Sequence, residues 1–175
     1  MHSFSKRKTK EKEIKIMNFE ELMLRAVTNA ETFKYTAKPN PVVGAILCND
    51  NEIISEGYHE IYGSNHAEIN AISNARKHQG KKFNNFSELA LVCTLEPCSH
   101  VGKTGSCAEQ IVETGIKKVV IGSIDPNPKV AGKGIEILKK NGILIIEVPF
   151  YYTYPFLDIE MVSVNYHLYL WKDII

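Results

Sequence analysis

Apolar residues recur at helical spacing in four stretches of this chain and run together or alternate in five others. Phe19, Leu22, Ala26, Ala30 and Phe33 lie three or four apart behind Asn18, which pairs with Glu21 as a capping box, so the pattern predicts a helix to about Lys34. Lys38-Pro39-Asn40-Pro41 closes it with an extended loop, because residues before proline avoid the α region. Val42–Cys48 is apolar and rich in β-branched residues, Asn49-Asp50-Asn51 is turn chemistry, and Glu52–Tyr58 alternates, which together predict a hairpin. A second helix follows over His66–His78 with Ile69, Ile72 and Ala75 inward, then a polar loop over Gln79–Ser87. Glu88–Thr94 reads as a short strand buried on both faces. The rest alternates: a helix over Cys107–Glu113 ended by Gly115, a strand at Val119–Gly122, a helix over Gly134–Lys140 ended by Asn141-Gly142, and a strand at Ile143–Val148. A hairpin followed by alternating helix and strand predicts an α/β fold whose mixed, roughly five-stranded sheet is covered by helices.

Composition adds limits. At 175 residues and 44% hydrophobic content the chain is long enough for one good core. A net charge of +1 gives no global field for nucleic acid or a membrane surface, so neither is expected as a partner. No apolar run has the length of a membrane span and no secretory signal is visible, which makes a cytoplasmic location the expectation. Residues 1–16 carry Lys6, Arg7, Lys8, Lys10, Lys12 and Lys15 against Glu11 and Glu13, and this basic, apolar-poor extension is expected to be disordered. Residues 17–148 form the expected domain. The tail, 149–175, holds half of the chain's aromatic residues, from Phe150 to Trp171, and reads as a packed helix or as a surface for a second copy or another protein.

The chemistry lies in two short pieces. His66-Ala67-Glu68 opens the second predicted helix, and Glu96-Pro97-Cys98 leads through eight residues to Cys107 at the start of the third. His-x-Glu followed by Pro-Cys and a second Cys is the pattern in which one imidazole and two thiolates hold zinc and a glutamate that is not a ligand moves protons. Three protein ligands leave a position open, as catalytic zinc requires. Cysteines at helix N-termini are favoured as thiolates. Glu68 sits one turn-step from His66, suited to take a proton from water and pass it to a heteroaromatic ring and a departing amine. A closed structural zinc site is the rival and needs a fourth ligand, for which Cys93, His59 and His100 are the candidates by type. Cys48, at the end of a strand, reads as a small buried hydrophobe.

Thr94-Leu-Glu-Pro-Cys-Ser-His100-x-Gly-Lys-Thr-x-x-Cys107 closely resembles the deaminase domain of the bifunctional riboflavin-biosynthesis deaminase/reductase. The likeness extends through Pro39-Asn-Pro-x-Val-Gly44, Gly57-x-His59, Gly63-x-x-His-Ala-Glu68 and Asp125-Pro-Asn-Pro-x-Val-x-Gly132. It implies a cytidine-deaminase-like three-layer α/β/α sandwich and a phosphorylated pyrimidine substrate, 2,5-diamino-6-ribosylamino-4(3H)-pyrimidinone 5′-phosphate, which loses its 2-amino group as ammonia. Carried over by position, the resemblance implies zinc at His66, Cys98 and Cys107 and Glu68 as the proton shuttle. It also implies substrate contacts at Asn40, His59, His100 and Lys103, with Asp125 and Asn127 in a loop near the ribose phosphate. Where the family commonly has Thr-Pro-Pro-Cys, this chain has Thr104-Gly105-Ser106-Cys107, so a less pre-organised approach to the last ligand is expected. No glycine-rich nucleotide fingerprint follows a strand, so the reduction step is expected to fall to a separately encoded reductase, and a homo-oligomer is expected. The alternatives are a deaminase of another base, of the cytidine, deoxycytidylate or tRNA-adenosine type, and a non-catalytic zinc-stabilised binding module.

Overall fold

In the computed structural model, the described residues are 18–50, 52–78, 85–100, 105–127 and 131–148. The expected basic extension, the aromatic tail and Lys103 lie outside them. The elements in chain order are α1 (Phe19–Ala30), β1 (Gly44–Cys48), β2 (Ile53–Tyr58), α2 (Ala67–His78), β3 (Ala90–Cys93), α3 (Cys107–Thr114), β4 (Lys118–Ile121), α4 (Lys133–Lys140) and β5 (Leu144–Glu147). Each answers to an expected element, with most ends shifted by no more than a residue or two. The first helix differs most: after Ala30 it tightens into a 3₁₀ turn over Glu31–Phe33. Asn18 Oδ1 accepts from the Glu20 N–H at 2.9 Å, one position before the glutamate expected to complete the cap.

The sheet order is β2-β1-β3-β4-β5. β1 runs antiparallel to both β2 and β3, whereas β3, β4 and β5 are mutually parallel, as short helical crossovers demand. Side chains alternate between faces along every strand. Ala45, Leu47, Leu91, Cys93, Val119 and Ile121 enter one core with Ala71, Ile72 and Ala75 of α2, Ala108 and Ile111 of α3, and Ile135 and Leu138 of α4. Ile46, Cys48, Val92 and Val120 enter the other, against Leu22, Met23 and Ala26 of α1. The result is a three-layer α/β/α sandwich in which, among the described helices, α1 covers one face and α2, α3 and α4 the other.

Two glycines let helices touch bare sheet. A Cβ at Gly57 in β2 would stand 2.1 Å from the Ala71 nitrogen and 2.3 Å from the Ala67 oxygen, and one at Gly44 in β1 would stand 2.3 Å from the Ala26 oxygen. Asn70 and Asn74, one turn apart on α2, donate to the Tyr58 and Glu56 carbonyls at 2.7 and 2.8 Å, and so occupy acceptors of the edge strand. No helix among the described residues is long and apolar enough to cross a membrane. The C-terminal ends of parallel strands β3 and β4 open into the loops at 94–100 and 122–127, the usual ligand-binding edge of such a sheet.

Candidate functional site

Three chain segments meet at that edge. His66 immediately precedes α2, and Glu68 is its second residue, 3% exposed. The turn after β3 is tied down by Thr94, whose Oγ1 accepts from the Gly44 N–H at 3.1 Å, and it delivers Cys98. Cys107 is the first residue of α3. The Cys107 N–H donates to Cys98 Sγ at 3.4 Å, and the Ala108 N–H donates to the Cys98 carbonyl at 3.1 Å, so the α3 N-terminus grips both sulfur and backbone of Cys98.

One nitrogen of His66 and the sulfurs of Cys98 and Cys107 all lie within 4.8 Å of one another, with His66 Nδ1 and Cys107 Sγ 3.2 Å apart. Zinc bonds of about 2.0–2.3 Å in a tetrahedron put ligand atoms about 3.5–3.8 Å apart, so the spacing fits that ion with small adjustment. Electrostatics agree. Hydrogen bonding from the Cys107 thiol, with His66 and the Cys107 N–H, holds Cys98 well below the usual thiol range and favours its thiolate. Cys107 is pushed up because it faces that thiolate from a buried position. His66 is raised, chiefly by Cys98. Two thiols and an imidazole competing for protons at this distance are a donor set suited to a divalent cation that displaces those protons.

Among the described residues these three are the only such cluster. Cys93, considered as a fourth ligand, is fully buried in β3 with its thiol pushed well up by burial. Glu68 stands beside the cluster, close enough for His66, Cys98 and Cys107 to act on its carboxyl. Burial raises its carboxyl to about 7, against the pull of its own backbone N–H, of His66 and of the Cys107 thiol.

His59 is 3% exposed and packs edge-on to His66, with ring centroids 5.4 Å apart. Its Nδ1 lies 3.1 Å from the Asn65 carbonyl, which can only accept, so Nδ1 carries the proton and Nε2, 3.0 Å from Asn40 Nδ2, accepts from it. Burial lowers its pKa and keeps the ring neutral. Both ring nitrogens are thus engaged within the protein, and the bond orients the half-buried Asn40 amide. On the other side of Cys98, exposed His100 lies close enough to act on half-buried Asp125, lowering a carboxyl that burial raises. Asp125 Oδ1 accepts from the Asn127 N–H at 2.8 Å. The structure therefore gathers His66, Glu68, Cys98 and Cys107, puts Asn40 and His59 behind His66, and places His100, Asp125 and Asn127 on the side of Cys98.

Two residues were given no role by sequence reading. Ser106 was expected to leave the approach to Cys107 loose, yet its Oγ accepts from the Glu109 N–H at 3.2 Å while Glu109 Oε2 accepts from the Ser106 N–H at 3.2 Å. This capping box replaces ring rigidity with hydrogen bonds, and its Ser-x-x-Glu spacing was present in the sequence. Glu96, 4% exposed, accepts four backbone N–H bonds from the loop after β4 and the start of α4. No local pattern announces it, because its partners lie 29 to 39 residues away.

The family model for the cytidine and deoxycytidylate deaminase zinc-binding region matches residues 17–123, which include all three clustered donors and Glu68. The chain belongs to this zinc deaminase family. It is 45% identical over 123 residues to the diaminohydroxyphosphoribosylamino-pyrimidine deaminase of Buchnera aphidicola subsp. Schizaphis graminum, covering 70% of this chain and 79% of that one. It is 40% identical over 127 residues to riboflavin biosynthesis protein RibD of Escherichia coli, covering 73% of this chain and 33% of that protein. A solved Thermotoga maritima deaminase/reductase, diaminohydroxyphosphoribosylaminopyrimidine deaminase joined to 5-amino-6-(5-phosphoribosylamino)uracil reductase, superposes with a TM-score of 0.72 at 39% identity. The match covers 89% of this chain and 42% of that structure. This deaminase thus spans less than half the length of its two-activity relatives and most of the length of the Buchnera one.

Proposed function

We propose that this deaminase removes the 2-amino group of 2,5-diamino-6-ribosylamino-4(3H)-pyrimidinone 5′-phosphate by hydrolysis, giving 5-amino-6-(5-phosphoribosylamino)uracil and ammonia. The observation that carries the reading is the convergence of His66, Cys98 and Cys107 beside buried Glu68. The eight-residue spacer with His100 and the 45% identity to a deaminase of that name favour this substrate over cytidine, deoxycytidylate or tRNA adenosine.

His66, Cys98 and Cys107 would hold zinc, which supplies a water made acidic enough to lose its proton near pH 7. Glu68 takes the proton from the attacking water and delivers it to the ring nitrogen beside the reacting carbon. It then carries the second proton to the amino group, so the C–N bond breaks as ammonia leaves and the carbonyl forms. A buried carboxyl two residues from His66 is placed to serve both halves of that task. Asn40, oriented by His59, and the Asp125–Asn127 loop with His100 border the space for the substrate. Lys103 supplies a cation for the phosphate, a role that rests on its place in the spacer. The zinc-loaded protein, given the diaminopyrimidinone phosphate, is expected to release ammonia in step with product. Release from cytidine or deoxycytidylate and none from the diaminopyrimidine would refute the assignment.

A further inference from the structure

Glu96 stands two residues before Cys98 in the turn after β3, and its carboxylate is filled by backbone donors. Oε1 accepts from the Gly134 and Ile135 N–H groups at 2.8 and 3.3 Å. Oε2 accepts from Gly132 and Asp125 at 2.9 and 3.2 Å. The N-cap residue of α4 is Gly132, which has no side chain to offer, so a glutamate from another loop caps this helix. Contact is equally close in the backbone: a Cβ at Gly134 would lie 1.9 Å from the Pro97 carbonyl oxygen. The Glu96 N–H donates to the Ser123 carbonyl at 2.8 Å, which closes the ring between the β3 and β4 loops.

Cys98 does not depend on these bonds, since its sulfur and carbonyl are held by the α3 N-terminus. Glu68 lies in α2 and His66 immediately precedes it, and none of the four bonds of Glu96 reaches either. What depends on Glu96 is where Asp125 and its neighbours stand relative to the metal centre. We propose that Glu96 is a positioning residue that holds the Asp125–Asn127 loop at a set distance from the His66, Cys98 and Cys107 centre, and thereby governs substrate affinity apart from the chemical step. The inference rests on the substrate reading above, in which that loop borders the bound nucleotide.

The test is Glu96→Gln. The amide keeps the shape but turns an NH₂ toward two N–H donors, so one pair of bonds is lost and its donors are left facing another donor. If the loop is then competent about a tenth of the time, KM rises about tenfold while kcat stays within about threefold. Zinc content should remain one per chain. Amide exchange at Asp125, Gly132, Gly134 and Ile135 should quicken. Leu138→Ala, which removes packing under the same helix without touching the loop, should lower stability and leave KM unchanged. Should Glu96→Gln not fold, Glu96→Asp keeps the charge one methylene short and should show a smaller rise in KM. Loss of zinc, an equal fall in kcat, or an unchanged KM in the folded variant would overturn the proposal. If the wild-type protein releases no ammonia from the substrate, the functional reading fails by itself, and amide exchange still decides whether Glu96 holds the loop.

Discussion

Replacing Ser106 by Ala isolates what fixes the third ligand in place. The side chain is fully buried, accepts from the Glu109 N–H and donates to Glu109 Oε2 at 2.9 Å. Loss of an N-cap of this kind costs about 0.5–2 kcal/mol, typically near 1. α3 has only eight residues, so one cap is a large share of what orders its first turn. For a chain of this size about 1 kcal/mol lowers Tm by about 2–4 °C. The first residue of that turn is Cys107, and a frayed turn must be re-ordered when metal binds. Zinc affinity is then expected to fall by up to about fivefold, the equivalent of the same free energy. Thermal unfolding followed by circular dichroism, with zinc and with chelator, reads the first effect, and competition titration reads the second. A Tm within about 1 °C of wild type in both states would show that the cap does not order the helix start, and the reasoning would fail.

Other outcomes follow from the same geometry. Gly105→Pro, a step toward the Pro-Pro form of this loop, should destabilise by more than about 1 kcal/mol, because Gly105 holds a φ of 77° and proline cannot leave about −65°; equilibrium denaturation measures it. Glu68→Gln should retain one zinc per chain and lose about 10²–10⁴-fold in kcat, and activity within about threefold of wild type would exclude it as the proton carrier. Cys98→Ala and Cys107→Ala should each abolish zinc binding by elemental analysis. Chelation of the wild-type protein should lower Tm, since metal at about a hundred times its dissociation constant contributes about 2.7 kcal/mol.

The order of elements was legible because each carries its own period. The apolar run at Leu89–Cys93 and the three-and-four spacing after Asn18 need no distant information. The metal cluster was legible because His66 and Cys107 each sit at a recognisable helix start and Cys98 follows proline in the turn after a strand. What was not legible depends on pairing across the fold. His59 reads as a loop histidine available for contact, and only the approach of Asn40 and of the Asn65 carbonyl shows both nitrogens engaged. Glu96 reads as one more charge in a motif, yet its partners come from the loop after β4 and the start of α4, 29 to 39 residues on. Ser106 is legible as a cap from Glu109 three residues on, and that box orders the approach to Cys107 without the two prolines.

The bare contact at Gly57 bears on how this site ages through mutation. α2 carries His66 at its threshold and Glu68 in its first turn, and there the helix rests on strand backbone with no side chain between. A layer of side chains behaves as a spring that yields when its members shrink, whereas backbone against backbone is a hard stop. Trimming the core further along, as in Ile72→Val, should cost about 0.5–1.5 kcal/mol of stability and leave turnover intact, because the catalytic end of the helix keeps its seat. Drift in the interior is thereby uncoupled from drift in the chemistry, and this corner of the molecule can tolerate a changing core so long as position 57 stays glycine.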